Sequence, residues 1–276
     1  SSLLQVVLSG GFILGWYGFP KFGVSGAAIA TLISSSLMVS IIFLKLFSKS
    51  VPARLKRNQF ILSKKLFSNI FEVAIPASAS PLLTVGTILV LTGLVGTFGT
   101  EALAGFGIGS RVEFLMIPLI FGIGTAMTSI VGANIGANNI ERAETVGIYG
   151  GSLAGIVSVF IGLTLALFPD LWIQYFTDDP KASAVTTMYI QLVGPFYVFQ
   201  GIGLSLYFAS QGANAMKWPT IATIARFLIA SIGGSIAIYW LGLGIESIFL
   251  SSSIAMMVFG LTIFISIKRG AWRKTS

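Results

Sequence analysis

The stretch GTEALAGFGIGSRVEFLMIPLIFGIGTAMTSIVGANIGANNIERA, Gly99–Ala143, decides the fold. It holds no charged side chain from Phe114 to Ile140. A helix needs about 20 apolar residues to cross a hydrocarbon core roughly 30 Å thick. Working outward, charge-free runs of similar length recur at Ser1–Pro20, Val24–Leu44, Val73–Thr100, Thr145–Pro169, Ala182–Met216, Phe227–Ile245 and Ser247–Ile267. Strands of a membrane barrel would be about 10 residues long and strictly alternating, and these runs show neither property. In lipid, backbone N–H and C=O groups must be satisfied internally, which a helix does within one segment. The expected fold class is therefore all-α integral membrane: a polytopic helical bundle of about eight transmembrane helices. Ala182–Met216 exceeds one span and is expected to include a cytoplasmic turn at Gly212-Ala213-Asn214.

Composition agrees. Of 276 residues, 55% are hydrophobic and only 9% charged, with mean hydropathy +0.91, against roughly a quarter charged in soluble domains. Cysteine and histidine are absent. That excludes disulfide frameworks, thiol nucleophiles, Cys/His zinc sites and histidine acid–base pairs. The first residues, Ser-Ser-Leu-Leu, show no methionine, basic n-region or cleavage pattern. The sequence is expected to continue a longer protein whose amino-terminal part lies upstream.

The net charge of +8 follows from orientation rather than from nucleic-acid binding. With the connector after the second span cytoplasmic, that side receives Lys45, Lys49, Arg54, Lys56, Arg57, Lys64, Lys65, Arg142, Lys217, Lys268, Arg269, Arg273 and Lys274. The other side keeps Lys21 and Lys181. Such asymmetry sets topology. The expectation is a multi-pass protein of the cell inner (plasma) membrane with a cytoplasmic C-terminus, partnered by the lipid bilayer. Trp16, Trp172, Trp240, Trp218 and Trp272 all fall near span ends. They read as interfacial anchors or, alternatively, as core aromatics.

The long polar connector is Phe47–Lys65. It divides the chain into 1–47 (two helices of an incomplete N-terminal lobe), a basic cytoplasmic linker over 48–65, and a six-helix C-terminal lobe over 66–276. Pro76, Pro81, Pro118 and Pro195 interrupt the backbone ladder within spans and are hinge candidates. Glycines at close spacing, such as Gly105 and Gly109, Gly122 and Gly124, or Gly233 and Gly234, suit tight helix packing or bending.

Arg111, Glu113 and Arg226 are the ionisable residues within spans, with Glu72 near a cytoplasmic end. A charge in lipid costs several kcal/mol, so each must face protein or water. Arg111 and Glu113, about 200° apart on a helix, cannot pair on one face. Glu113 lies about 12 residues into its helix, roughly 18 Å deep. It is either a carboxylate that takes up a coupling proton or half of a structural salt bridge. Arg111 and Glu113 are the ion-coupling or cavity candidates, and Arg226 reads as structural. Tyr197, Gln200, Tyr207 and Gln211 share about 80° of arc. They line a polar substrate cavity or make interhelical hydrogen bonds. No phosphate loop or nucleophile elbow is present, so no catalytic residues, metal site or enzyme activity are expected.

Three segments carry a resemblance: Gly99–Ala143, Phe22–Ser34 (FGVSGAAIATLIS) and Gln211–Pro219 (QGANAMKWP). They resemble the multidrug and toxic compound extrusion (MATE) family of secondary transporters, at the eighth helix and its following turn, the sixth helix, and the turn after the tenth. The resemblance covers nearly the whole chain. It implies the fifth to twelfth helices of a two-lobe, twelve-helix MATE fold, monomeric in full-length form. Gly-Ala-Asn recurs at 132–134, 136–138 and 212–214. Many members carry a coupling acidic residue in the first helix, and some also carry acidic residues in the seventh and tenth. Here the seventh has only Glu72 and the tenth has none, which leaves Glu113 as the local candidate. The implied function is a multidrug exporter moving organic cations or amphiphiles outward by alternating access, with H⁺ or Na⁺ as coupling ion and no other cofactor. The alternative is a flippase for a lipid-linked oligosaccharide or peptidoglycan precursor.

Overall fold

The computed structural model describes residues 2–47 and 63–273. Among them, seven helices are long and apolar enough to cross a membrane, alongside the shorter apolar Leu3–Leu14. No strand occurs among the described residues. The chain divides into two units, Ser1–Leu66 and Phe67–Ser276. Most of the linker expected over 48–65 lies outside the described residues, and Lys64 and Lys65 already begin a helix.

In the first unit, α1 (Ser2–Leu14) and α2 (Val24–Phe47) form a hairpin through a 3₁₀ turn at Trp16–Gly18. The Phe12 carbonyl accepts the Phe22 N–H at 2.9 Å, and Gly26 lets α2 close on the Phe12 backbone. As described, α1 reaches only about 20 Å at 1.5 Å per residue. It is therefore shorter than the span expected at Ser1–Pro20.

The second unit holds α3 (Lys64–Gly96, from Phe67 onward), α4 (Thr100–Gly136), α5 (Ile140–Leu167), the short α6 (Asp170–Ile173), α7 (Pro180–Val193), α8 (Tyr197–Gly212), α9 (Lys217–Leu228), α10 (Gly234–Tyr239) and α11 (Glu246–Lys268). Two spans are compound. A 3₁₀ turn at Gly194–Phe196 joins α7 to α8, and a π segment at Ile229–Gly233 joins α9 to α10. The α8 helix is central, packed on α4, α5 and α11. Asp179 starts α7 by accepting the Lys181 N–H at 3.0 Å, with Pro180 at the first helical position, where a missing donor costs nothing.

Helices α4, α8 and α11 end alike. Asn138, Asn214 and Gly270 adopt positive φ. The next residue's N–H then reaches back to the carbonyl of Asn134, Ser210 or Ser266. This is the Schellman arrangement, which satisfies carbonyls a helix end leaves bare. Two of the three Gly-Ala-Asn repeats are thus C-terminal caps, including the turn expected at Gly212-Ala213-Asn214. The repeat at 132–134 lies inside α4.

Packing is close where glycines face backbone. Gly162 of α5 meets the Gly194 carbonyl, Gly212 meets Thr128, and Gly260 of α11 meets Phe199. Gly105, Gly109 and Gly124 also pack against neighbours, while a side chain at Gly122 would point into open space. Outward-facing Leu153, Ile156 and Phe160 of α5 are exposed, the pattern of a bundle whose solvent is lipid.

Candidate functional site

The proline-bearing α3 and α4, with single residues of α7, α8 and α9 and two of α11, surround one cavity of about 340 Å³ within the second unit. Thr84, Thr87 and Thr92 of α3, Ser110 and Glu113 of α4, and Ser252 of α11 line it. Tyr189, Gln200 and Arg226 come from α7, α8 and α9. The rest of the wall is apolar.

Glu113 is the one carboxylate in that wall. The Tyr189 hydroxyl donates to its Oε1 at 2.8 Å. The Tyr189 ring is set by Gly109, whose missing side chain leaves room for it, and by edge contacts with Phe106 and Phe249 at 5.5 and 5.1 Å. Arg226 faces the same cavity and interacts with Glu113 electrostatically. Yet the two make no direct ion pair: the pairs among the described residues are Lys181–Glu101 and Arg273–Glu144. The Arg226 guanidinium lies over the Phe259 ring, 5.4 Å from its centroid, a contact worth about 0.5–2 kcal/mol.

One buried polar atom in the cavity wall finds no hydrogen-bond partner within the protein, Gln200 Oε1. Gln200 is 4% exposed. An unsatisfied buried polar atom costs about 1–3 kcal/mol, so it marks a place where a polar ligand is wanted.

The expected site residues separate. Glu113 and Gln200 come together in the cavity wall, while Tyr197 is buried in the adjoining apolar cluster. Arg111, expected as a cavity candidate, does not line it. It is exposed on α4 and lies over the Phe176 ring at 5.5 Å. Arg226, expected to be structural, lines the cavity instead; being charged and seven residues above Pro219, it gave no sequence signal that distinguished snorkelling from a cavity position.

Tyr207 and Gln211 lie at the far end of the stripe, outside the cavity lining. Tyr207 donates to the Ala77 carbonyl at 3.1 Å. Pro81 has no N–H to offer that carbonyl, four residues back, so the tyrosine replaces the missing donor. Ser253 treats the Pro195 region similarly, donating at 2.8 Å to the Leu192 carbonyl beside the 3₁₀ turn. Pro76 and Pro118 sit inside continuous α3 and α4.

Beyond the cavity, the residues following α11 fold back onto the bundle. Trp272 is fully buried against Gly147 and Leu206, with its N–H on Ser210 Oγ at 3.2 Å. Arg273 makes a two-pronged pair with Glu144 at 2.9 and 2.7 Å, and these hydrogen bonds raise its pKa further. Trp172 donates to the Ile108 carbonyl at 3.0 Å. Trp172 and Trp272 are therefore packed into the protein, while Trp16, Trp218 and Trp240 are exposed.

A polytopic helical bundle with broken spans around a charged internal cavity is the body of a membrane transporter. The MatE family model matches residues 76–236, more than half the chain. A probable multidrug resistance protein NorM from Thermotoga maritima is 29% identical over 239 residues, covering 84% of this chain and 50% of that protein. Among solved structures, an outward-facing multidrug resistance MATE family transporter of the MOP superfamily superposes with TM-score 0.87 at 27% identity, covering 99% of this chain and 61% of that one. A MOP superfamily transporter from Pyrococcus furiosus gives TM-score 0.87 at 26% identity, over 98% of this chain and 60% of that one.

The chain belongs to the MatE family, a family of membrane transporters and not of enzymes. It spans about half the length of the curated relatives it matches.

Proposed function

We propose that the chain forms the later part of a secondary active exporter that moves an organic cation or other amphiphile outward by alternating access, in exchange for H⁺ or Na⁺. The observation that carries this reading is Glu113, held by Tyr189 in a cavity that it shares with Arg226. Uptake of a proton or sodium ion at the free carboxylate oxygen cancels the attraction of Glu113 for Arg226. The charge balance across α4 and α9 then changes while both helices stay packed. Pro81 and Pro195, each with a side-chain hydroxyl serving the neighbouring carbonyl, are where the spans can bend without losing hydrogen bonds.

The flippase alternative draws no support from the site. It calls for a more cationic cavity, whereas Arg111 lies outside and Arg226 is balanced by Glu113.

The assay is efflux of a fluorescent organic cation from vesicles containing the full-length protein, driven by an imposed proton or sodium gradient. Glu113→Gln is expected to abolish gradient-driven efflux. Unchanged efflux with unchanged pH dependence would remove Glu113 from the mechanism. We also place the protein in the cell inner (plasma) membrane with a cytoplasmic C-terminus, on the asymmetry of its basic residues. A C-terminal alkaline phosphatase fusion is then inactive in an intact bacterial cell, and a fluorescent-protein fusion is bright.

A further inference from the structure

We propose that the cavity binds a small amphiphilic zwitterion, its ammonium group on Glu113 and Gln200 and its anionic group on Arg226. This deepens the exporter reading and rests on it for a place in the transport cycle, but not for the binding itself.

Three observations point to a ligand with both charges. First, Glu113 and Arg226 line one cavity and feel each other's charge without a direct ion pair. A purely structural pair in a low-dielectric interior would close to contact, because an isolated buried charge is costly. Held apart, the two present a carboxylate and a guanidinium to whatever lies between them. Second, Gln200 is almost fully buried, lines the cavity, and leaves Oε1 without a partner. That atom can only accept, so it calls for a donor such as an ammonium N–H in the cavity that it shares with Glu113. Third, apart from those groups and the hydroxyl-bearing Thr84, Thr87, Thr92, Ser110, Tyr189 and Ser252, the wall is apolar. Ile88, Leu103 and Phe114 line the cavity and are also exposed on the protein surface, which puts its mouth among apolar side chains.

A cation alone would share the cavity with the like charge of Arg226, and an anion alone with that of Glu113. A zwitterion satisfies both. The volume of about 340 Å³ lies at the small end of ligand pockets and suits a molecule of amino-acid size with an apolar body. The same pair of charges occurs on a phosphatidylethanolamine headgroup, so the source is either a free solute or a lipid head.

The test uses three probes of one shape: phenylalanine (zwitterion), its methyl ester (cation) and N-acetylphenylalanine (anion). Binding to the full-length protein is followed by calorimetry in nanodiscs of anionic phosphatidylglycerol, and no variant is needed for the primary result. Phenylalanine is expected to bind at least about tenfold tighter than either relative, since each loses one charge-assisted contact. Loss of that binding when phosphatidylethanolamine is added identifies the lipid head as the occupant. Equal binding by the methyl ester overturns the zwitterion proposal while leaving the cation exporter standing, and failure of all three overturns it outright. As a second measurement, Arg226→Gln should abolish discrimination between phenylalanine and its ester. Retained discrimination would also sink the assignment.

Discussion

At the Glu113 end of the six-span unit, Gln200 keeps a buried oxygen unpaired in a cavity that it shares with a carboxylate and a guanidinium that form no ion pair. At the Trp272 end, the indole N–H rests on Ser210 and the Tyr207 hydroxyl on the Ala77 carbonyl. Both ends are built from equally apolar clusters, one around Met116, Tyr189 and Phe249, the other around Met127, Phe259 and Trp272. The difference lies in polar satisfaction. A buried polar atom with a partner fixes geometry, whereas one without a partner leaves free energy available to a ligand. The first end is poised to accept and the second to hold.

That comparison can be broken, beginning with the largest effect. Glu113→Gln should eliminate gradient-driven efflux. Its amide oxygen still accepts from Tyr189, but Arg226 loses its counter-charge. The melting temperature in detergent should therefore fall, and Arg226→Gln in the same chain should largely restore it. Full gradient-driven efflux by Glu113→Gln would make Glu113 a structural residue. Trp272→Ala should instead cost about 3–5 kcal/mol as a large-to-small change in a packed site. Its thermal unfolding should therefore shift markedly, with binding of the zwitterionic probe intact in the cold. Tyr207→Phe, which strips only the donor from Ala77, should cost about 0.6–1.7 kcal/mol, the range of interhelical hydrogen bonds in membranes. The effect should vanish when Pro81 is replaced by Ala, whose own N–H can serve that carbonyl. The smallest change belongs to Arg273→Gln. Arg273 is exposed but grips a half-buried Glu144 with two hydrogen bonds, so melting should drop slightly and the drop should shrink at high salt.

The spans were legible because lipid imposes one requirement on every segment, and charge-free runs register it directly. Helix ends were less so. The α3 and α4 helices extend into charged sequence at Lys64, Glu72, Arg111 and Glu113, and a search for charge-free runs stops short of them. The Gly-Ala-Asn repeats were visible as an echo, but their role as caps depends on the positive φ of Asn138 and Asn214. At the site, Glu113 could be found from its depth along one helix. Arg226 could not, since its place in the cavity depends on how α9 packs against other helices rather than on its own periodicity. The polar stripe on α8 was correct as a face, yet its members serve different ends. Gln200 lines the cavity and Tyr197 is buried in the apolar cluster, while Tyr207 repairs a proline break 130 residues away in sequence.

Burial of Trp272 has an optical consequence. The protein's exposed tryptophans, Trp16, Trp218 and Trp240, sit where solvent or headgroups quench and red-shift their emission, while Trp272 is fully enclosed beside α5, α8 and α11. Its fluorescence should lie to the blue of theirs. If these helices separate at that end during the transport cycle, the indole becomes wet and its emission moves red. A red shift of that emission would then report such a separation without a label.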